Sequence, residues 1–116
     1  MAATFAQGTD VPLLLSNFVN FTLNAGDTVR GQFRYALGDP LPLAEIGVGG
    51  VTGVVDVAAQ TVLVTIPEAV NTLWRPAGLS FTVYTTLLIV GADGQHRLAI
   101  ELATDWRASY TRGAGV

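Results

Sequence analysis

Residues Thr28 to Tyr35 alternate strictly, and this run constrains the chain more than any other. Thr28, Arg30, Gln32 and Arg34 share one face of an extended segment; Val29, Gly31, Phe33 and Tyr35 share the other. Period two, with one wet face and one apolar face, is the pattern of a strand in a half-buried sheet. A single strand or hairpin is not stable alone in water, so the rest of the chain must supply partners. Asn24-Ala25-Gly26-Asp27 before it has turn residues, and Phe18 to Leu23 alternates again. Together they read as a hairpin.

Further runs have the same character. Thr61 to Ile66 puts Val62, Val64 and Ile66 on one face. Leu79 to Val90 is long and rich in β-branched and aromatic residues. Gly91 to Gln95, with Asp93-Gly94 at its tip, reads as a hairpin loop, and His96 to Asp105 returns with Leu98, Ile100 and Leu102 on one side. Val48 to Ala58 is valine-rich but broken by Gly49, Gly50 and Gly53, which suggests a bulged or bent strand. Gly38-Asp39-Pro40-Leu41-Pro42 reads as a loop. Pro67 to Gly78 is the exception: Pro67 and Glu68 suit a helix start, Val70, Leu73 and Trp74 share a face, and Pro76 and Gly78 stop it. The count is about seven strands and one short connector helix, the pattern of an all-β sandwich.

The chain has 116 residues, enough for one domain with its own core. Residues 18–110 are assigned to the sandwich. Residues 1–17 read as an N-terminal arm and 111–116 as a flexible C-terminal tail. The two long uncharged stretches, Val11–Gly26 and Pro76–Ala92, carry too many polar residues for a membrane span, and no positive residue precedes the first as a signal peptide requires. Only 13% of residues are charged and 50% are hydrophobic, which excludes a disordered chain. A net charge of −3 argues against nucleic acid or an anionic membrane as partner.

Catalytic chemistry finds little support. Cysteine is absent, so thiolate metal sites, cysteine nucleophiles and disulfides are excluded. The single histidine, His96, stands at a hairpin exit without evident partners and reads as an exposed strand-end residue. The nine acidic residues are scattered, with no metal-loop spacing. Gly47-Val48-Gly49-Gly50 lacks the Gly-Lys-Ser/Thr of a phosphate loop. No catalytic residue, cofactor-binding residue or metal ligand is therefore assigned.

What remains are candidate contacts. Val11, Leu13, Leu14 and Leu15 form either a buried first strand or a segment that docks on another chain by strand addition. Arg30 and Arg34 form either a solvated face or partners for a neighbouring subunit's carboxylates. Trp106 is assigned to the core or to an interface, and Trp74 to a core lid. Trp74, Trp106 and Tyr84 could alternatively form the stacking platform of a carbohydrate-binding module, and a small hydrolase or isomerase built on His96 is a further rival.

The order of Asn24-Ala25-Gly26-Asp27-Thr28, Phe33-Arg34-Tyr35, Gly38-Asp39-Pro40-Leu41-Pro42-Leu43, Val62 to Pro67, Asp93-Gly94 and His96-Arg97-Leu98 resembles a known family. It is similar to the immunoglobulin-like domain at the N-terminus of phage baseplate upper proteins and to related small phage tail and neck proteins. The likeness runs from about Phe18 to Ser109. It implies an immunoglobulin-like antiparallel sandwich and a non-enzymatic virion structural protein, a multi-copy adaptor or decoration subunit of tail, neck or baseplate. Its partners would be other copies of itself and other virion proteins, with no nucleic acid, membrane, cofactor or small-molecule substrate. One departure stands out: the family's strand after the Pro-Leu loop is polar and charged, whereas Ile46 to Val57 carries only Asp56. That leaves open whether this strand is exposed or covered by another chain.

Overall fold

In the computed structural model the described residues are 4–76 and 78–108. They form an all-β sandwich of two packed sheets. The strands are β1 (Thr4–Ala6), β2 (Val11–Leu15), β3 (Thr28–Arg34), β4 (Ala44–Glu45), β5 (Thr52–Asp56), β6 (Thr61–Ile66), β7 (Ser80–Val90) and β8 (His96–Arg107). A single helical turn, α1 (Glu68–Asn71), connects β6 to β7. One sheet has the order β1-β8-β7-β3-β4 and the other β2-β6-β5. All neighbours are antiparallel except β1, which runs parallel to β8 with Phe5 opposite Trp106.

The alternating runs become strands for the reason the pattern suggests: each buries one face. Val62, Val64 and Ile66 of β6 are fully buried, as are Phe33 of β3 and Val83, Leu87 and Ile89 of β7. Together with Val11, Leu13, Val29 and Trp106 they form one core between the sheets. The two sheets come into close contact where β3 faces β5. A side chain at Gly53 would collide with Val29 Cγ1 of the facing sheet. Only glycine fits this close approach. The tip of the β7–β8 hairpin is as expected: Gly94 has φ +83° and its amide donates to the Gly91 carbonyl (2.9 Å).

Several expectations need correction. Residues 4–17 are not an arm. They contain β1 and β2, which join opposite sheets, so the sandwich begins at least at Thr4, and eight strands rather than about seven lie among the described residues. Val11 and Leu13 are buried in the chain's own core, Leu15 is half-buried, and only Leu14 points out. The open choice at Val11–Leu15 therefore falls to a buried strand of the chain's own core, second in order rather than first. Phe18 to Leu23 is not a strand. Asn17 and Asn20 take left-handed φ values of 57° and 56°, which a ladder cannot accommodate, and the Gln60 side chain bonds both the amide and the carbonyl of Leu23. The glycine-rich start of Val48–Ala58 is loop, and pairing begins at Thr52. In the connector, Trp74 is buried but Leu73 is 70% exposed, so the two do not share a face. The assigned C-terminal tail, 111–116, and Tyr110 lie outside the described residues.

The N-terminal strands are held by a buried polar latch. Asn71 is fully buried at the end of α1. Its Oδ1 accepts from the Gly8 amide (2.8 Å) and its Nδ2 donates to the Thr9 carbonyl (2.8 Å). Gln7 Nε2 in turn donates to the carbonyls of Asn71 (2.7 Å) and Trp74 (2.8 Å). At the opposite end, buried Asp27 pairs with Arg97, whose guanidinium lies 4.8 Å from the centre of the Phe21 ring.

Candidate functional site

Three surfaces remain once the core is assembled. The first is the outer face of the larger sheet, where cross-strand registry lines up Arg30 with Leu88, Gln32 with Thr86, and Arg34 with Tyr84. A shallow depression of about 540 Å³ here is lined by Arg30, Gln32, Arg34, Glu45 and Leu88, among others. Arg34 is already engaged: Nη2 donates to Gln32 Oε1 (2.5 Å) and Nε to the Asp39 carbonyl (3.0 Å), while Gln32 donates to Glu45 Oε2 (2.6 Å). Arg34 is thus held by contacts within its own chain, to Gln32 of β3 and to the β3–β4 loop. Arg30 is exposed and makes no hydrogen bond or ion pair within the described residues.

The second is an apolar groove of about 490 Å³. Tyr35, Leu43, Val48, Val70, Leu73 and Trp74 line it, with Glu45 and Arg75 also at its walls. It forms because the β3–β4 loop, the loop before β5 and the end of α1 converge beside the end of β3. Leu73 and Val48 project into solvent at 70% and 58% exposure. Behind the groove, Trp74 packs on Trp106 (ring centres 5.0 Å apart), and Trp106 on Phe5 (5.6 Å) and Phe81 (6.0 Å).

The third is the outer face of the smaller sheet. Registry places Leu14 opposite Leu63 and Leu63 opposite Val54, one apolar row across three strands. Pro12, Thr65 and Thr52 form the next row. Asp56, at the end of β5, is the one charge carried by these three strands.

Trp106 belongs to the core: it is fully buried, and its Nε1 donates to Thr104 Oγ1 (2.8 Å). With Trp74 also buried, the two tryptophans are not available as a stacking platform. His96 is exposed at the start of β8. Among the described residues no group of three or more histidine, aspartate or glutamate side chains gathers to hold a metal. Of the seven candidate contact residues, Val11, Leu13 and Trp106 are internal, Leu15 is half-buried against the core and Arg34 is satisfied within the chain. Leu14 and Arg30 remain as free surface.

Of the groove residues, the sequence groups only Val70, Leu73 and Trp74 on the connector. Tyr35, Leu43 and Val48 come from segments that nothing in the periodicity brings to them. The apolar row was partly visible: three consecutive leucines must put an apolar side chain on both faces of a strand, and Leu63 falls opposite to Val62 and Val64. Compared with known protein families and with curated proteins, the sequence matches none.

Proposed function

We propose that this chain is a non-enzymatic virion structural protein, an immunoglobulin-like sandwich that serves in several copies as an adaptor or decoration subunit of a phage tail, neck or baseplate. The observation that carries the reading is the placement of its exposed apolar residues. Leu41, Leu73, Val48, Leu14 and Val54 are each more than half exposed in a chain with 13% charged residues. Large apolar surfaces on a small domain mark contact with other proteins. The strand order supports the immunoglobulin-like part: β2-β6-β5 faces β8-β7-β3-β4, and from β2 onward the chain changes sheet after β2, β4 and β6, as in sandwiches of that class. The turn, loop and hairpin segments that carry the family resemblance fall before β3, between β3 and β4, and between β7 and β8.

A mass-spectrometric inventory of particles purified from the chain's source tests this. The chain should co-purify with tail or neck proteins at a ratio of several copies per particle. Absence from the particles, with the chain abundant in the soluble fraction of the same lysate, would overturn the reading.

A further inference from the structure

We propose that the free edge of β5 pairs antiparallel with β5 of a second copy, centred on Val54, joining two three-stranded sheets into one of six strands. This rests on the multi-copy part of the reading above and gives it a contact.

A sheet edge exposes unpaired amides and carbonyls, and proteins protect such edges with short strands, proline, lysine or bulges. Three of the four edges here are protected. The larger sheet ends in β1, three residues long, and β4, two residues long. The smaller sheet ends on one side in β2, which carries Pro12. The fourth edge is β5, Thr52-Gly53-Val54-Val55-Asp56. It has no proline, no basic residue and an unbroken register with β6. Backbone groups alternate in direction along an antiparallel strand, so half of those in β5 face away from β6. No other strand or loop of the described residues pairs with them.

The side chains select the occupant. The Leu14–Leu63–Val54 row stops at Val54, which is 56% exposed. Pairing β5 with itself about a two-fold axis at Val54 sets Val54 against Val54 and continues the row into the second copy. The same register sets Asp56 opposite Thr52, so each carboxylate meets a hydroxyl that can donate to it. A parallel arrangement would instead set the two Asp56 carboxylates side by side, and it is not two-fold symmetric about the strand edge. The contact is small. Two five-residue strands bury less than the roughly 1,200–2,000 Å² of a standard interface. It should therefore be weak in dilute solution and effective where other contacts hold many copies together.

The chain has no cysteine, so one introduced thiol reports one position. Residues directly opposite on antiparallel strands have Cα atoms about 4.5–5.5 Å apart, inside the range a disulfide spans. Under mild oxidation of the full chain at high concentration, Val54→Cys should form a covalent dimer about tenfold or more faster than Leu14→Cys, which lies on the same face but two strands away. Thr52→Cys, whose opposite neighbour is Asp56, should lag as well. Sedimentation of the untreated chain should show a concentration-dependent dimer that Val54→Lys abolishes and Leu14→Lys leaves intact. If Leu14→Cys cross-links as fast as Val54→Cys, the sheets stack face to face and edge pairing is wrong. If no variant cross-links above the rate of random collision, the edge is simply free, and the proposal fails. A chain present in particles but uncross-linked would remove the edge contact alone; a cross-linked chain absent from particles would remove only the virion assignment.

Discussion

Replacing Asn71 with leucine should cost about 2–4 kcal/mol, and the figure follows from what the side chain holds. Its Oδ1 satisfies the Gly8 amide and its Nδ2 the Thr9 carbonyl, both at 2.8 Å, inside a site where Asn71 itself is wholly buried. Leucine fills similar space but leaves both backbone groups without a partner. A stranded buried polar group costs about 1–3 kcal/mol, and these two, being only partly buried, recover some water. For a domain of this size each kcal/mol corresponds to roughly 4 °C, so the melting temperature should fall by about 8–16 °C. That is a large share of a typical stability of about 5–15 kcal/mol, yet short of unfolding. Urea denaturation followed by tryptophan fluorescence suits the measurement, because Trp74 and Trp106 pack against each other in the core next to the latch. The midpoint should drop with the slope unchanged. Gln7 bonds the carbonyls of Asn71 and Trp74, so Gln7→Leu and Asn71→Leu should couple by about 0.5 kcal/mol or more in a double-mutant cycle. A loss below about 0.5 kcal/mol for Asn71→Leu, or strictly additive effects, would show that the latch does not hold the N-terminal strands.

Three other perturbations test the fold. Removing residues 1–15 should abolish cooperative unfolding in circular dichroism, because it strips β1 from Trp106 and β2 from β6; burying Val11 and Leu13 alone is worth about 3–6 kcal/mol at roughly 1.5–3 kcal/mol per side chain. A truncated chain that still melts cooperatively would restore the idea of a detachable arm. Thr85 is fully buried and its hydroxyl has no hydrogen-bond partner among the described residues, so Thr85→Val should raise stability by about 1 kcal/mol in the same urea assay; a loss would reveal a partner for that hydroxyl. Gly94→Val should cost about 1 kcal/mol or more, through backbone strain alone, since φ is +83° and no atom lies within 4 Å of the added Cβ; an unchanged melting temperature would contradict that conformation.

The segments legible in the sequence are those whose signal is local. Thr28–Arg34, Thr61–Ile66 and the Ser80–Arg107 hairpin carry their own alternation, the last also its own turn, and each forms strand where the alternation lies. The N-terminal strands are determined by partners far away. β1 lies against β8 across about a hundred residues, and the amide of Gly8 meets Asn71 across 63. Nothing within Thr4–Leu15 announces those partners, and small polar residues beside an uncharged leucine run look the same whether they end in a sheet or in solvent. Phe18–Leu23 fails in the opposite direction. Its alternation is real, but it includes Asn20, follows Asn17, and asparagine tolerates the left-handed conformation that both residues adopt. The polar character of Asn71 and Gln7 could not be valued either, because a latch is visible only when both ends are in place.

The glycines around β5 carry a different lesson about which residues inform on function. Gly53 is dictated by the core, since any side chain there would strike Val29. Inward positions of this strand are thus set by packing and say nothing about partners. The outward positions, Thr52, Val54 and Asp56, are under no such constraint, and neither are Pro12, Leu14, Leu63 and Thr65 on the adjoining strands. All were free to be basic. The chain does place arginines on an outer sheet face, with Arg30 and Arg34 on β3, so a general scarcity of charge does not explain their absence from the other. The difference between the two outer faces is therefore information that folding did not require. A sheet face without a basic residue, its one charge Asp56 at the strand end, beside an unprotected edge is what association with another chain would demand, and it is the reason the contact is assigned to β5 rather than to the arginine-bearing face.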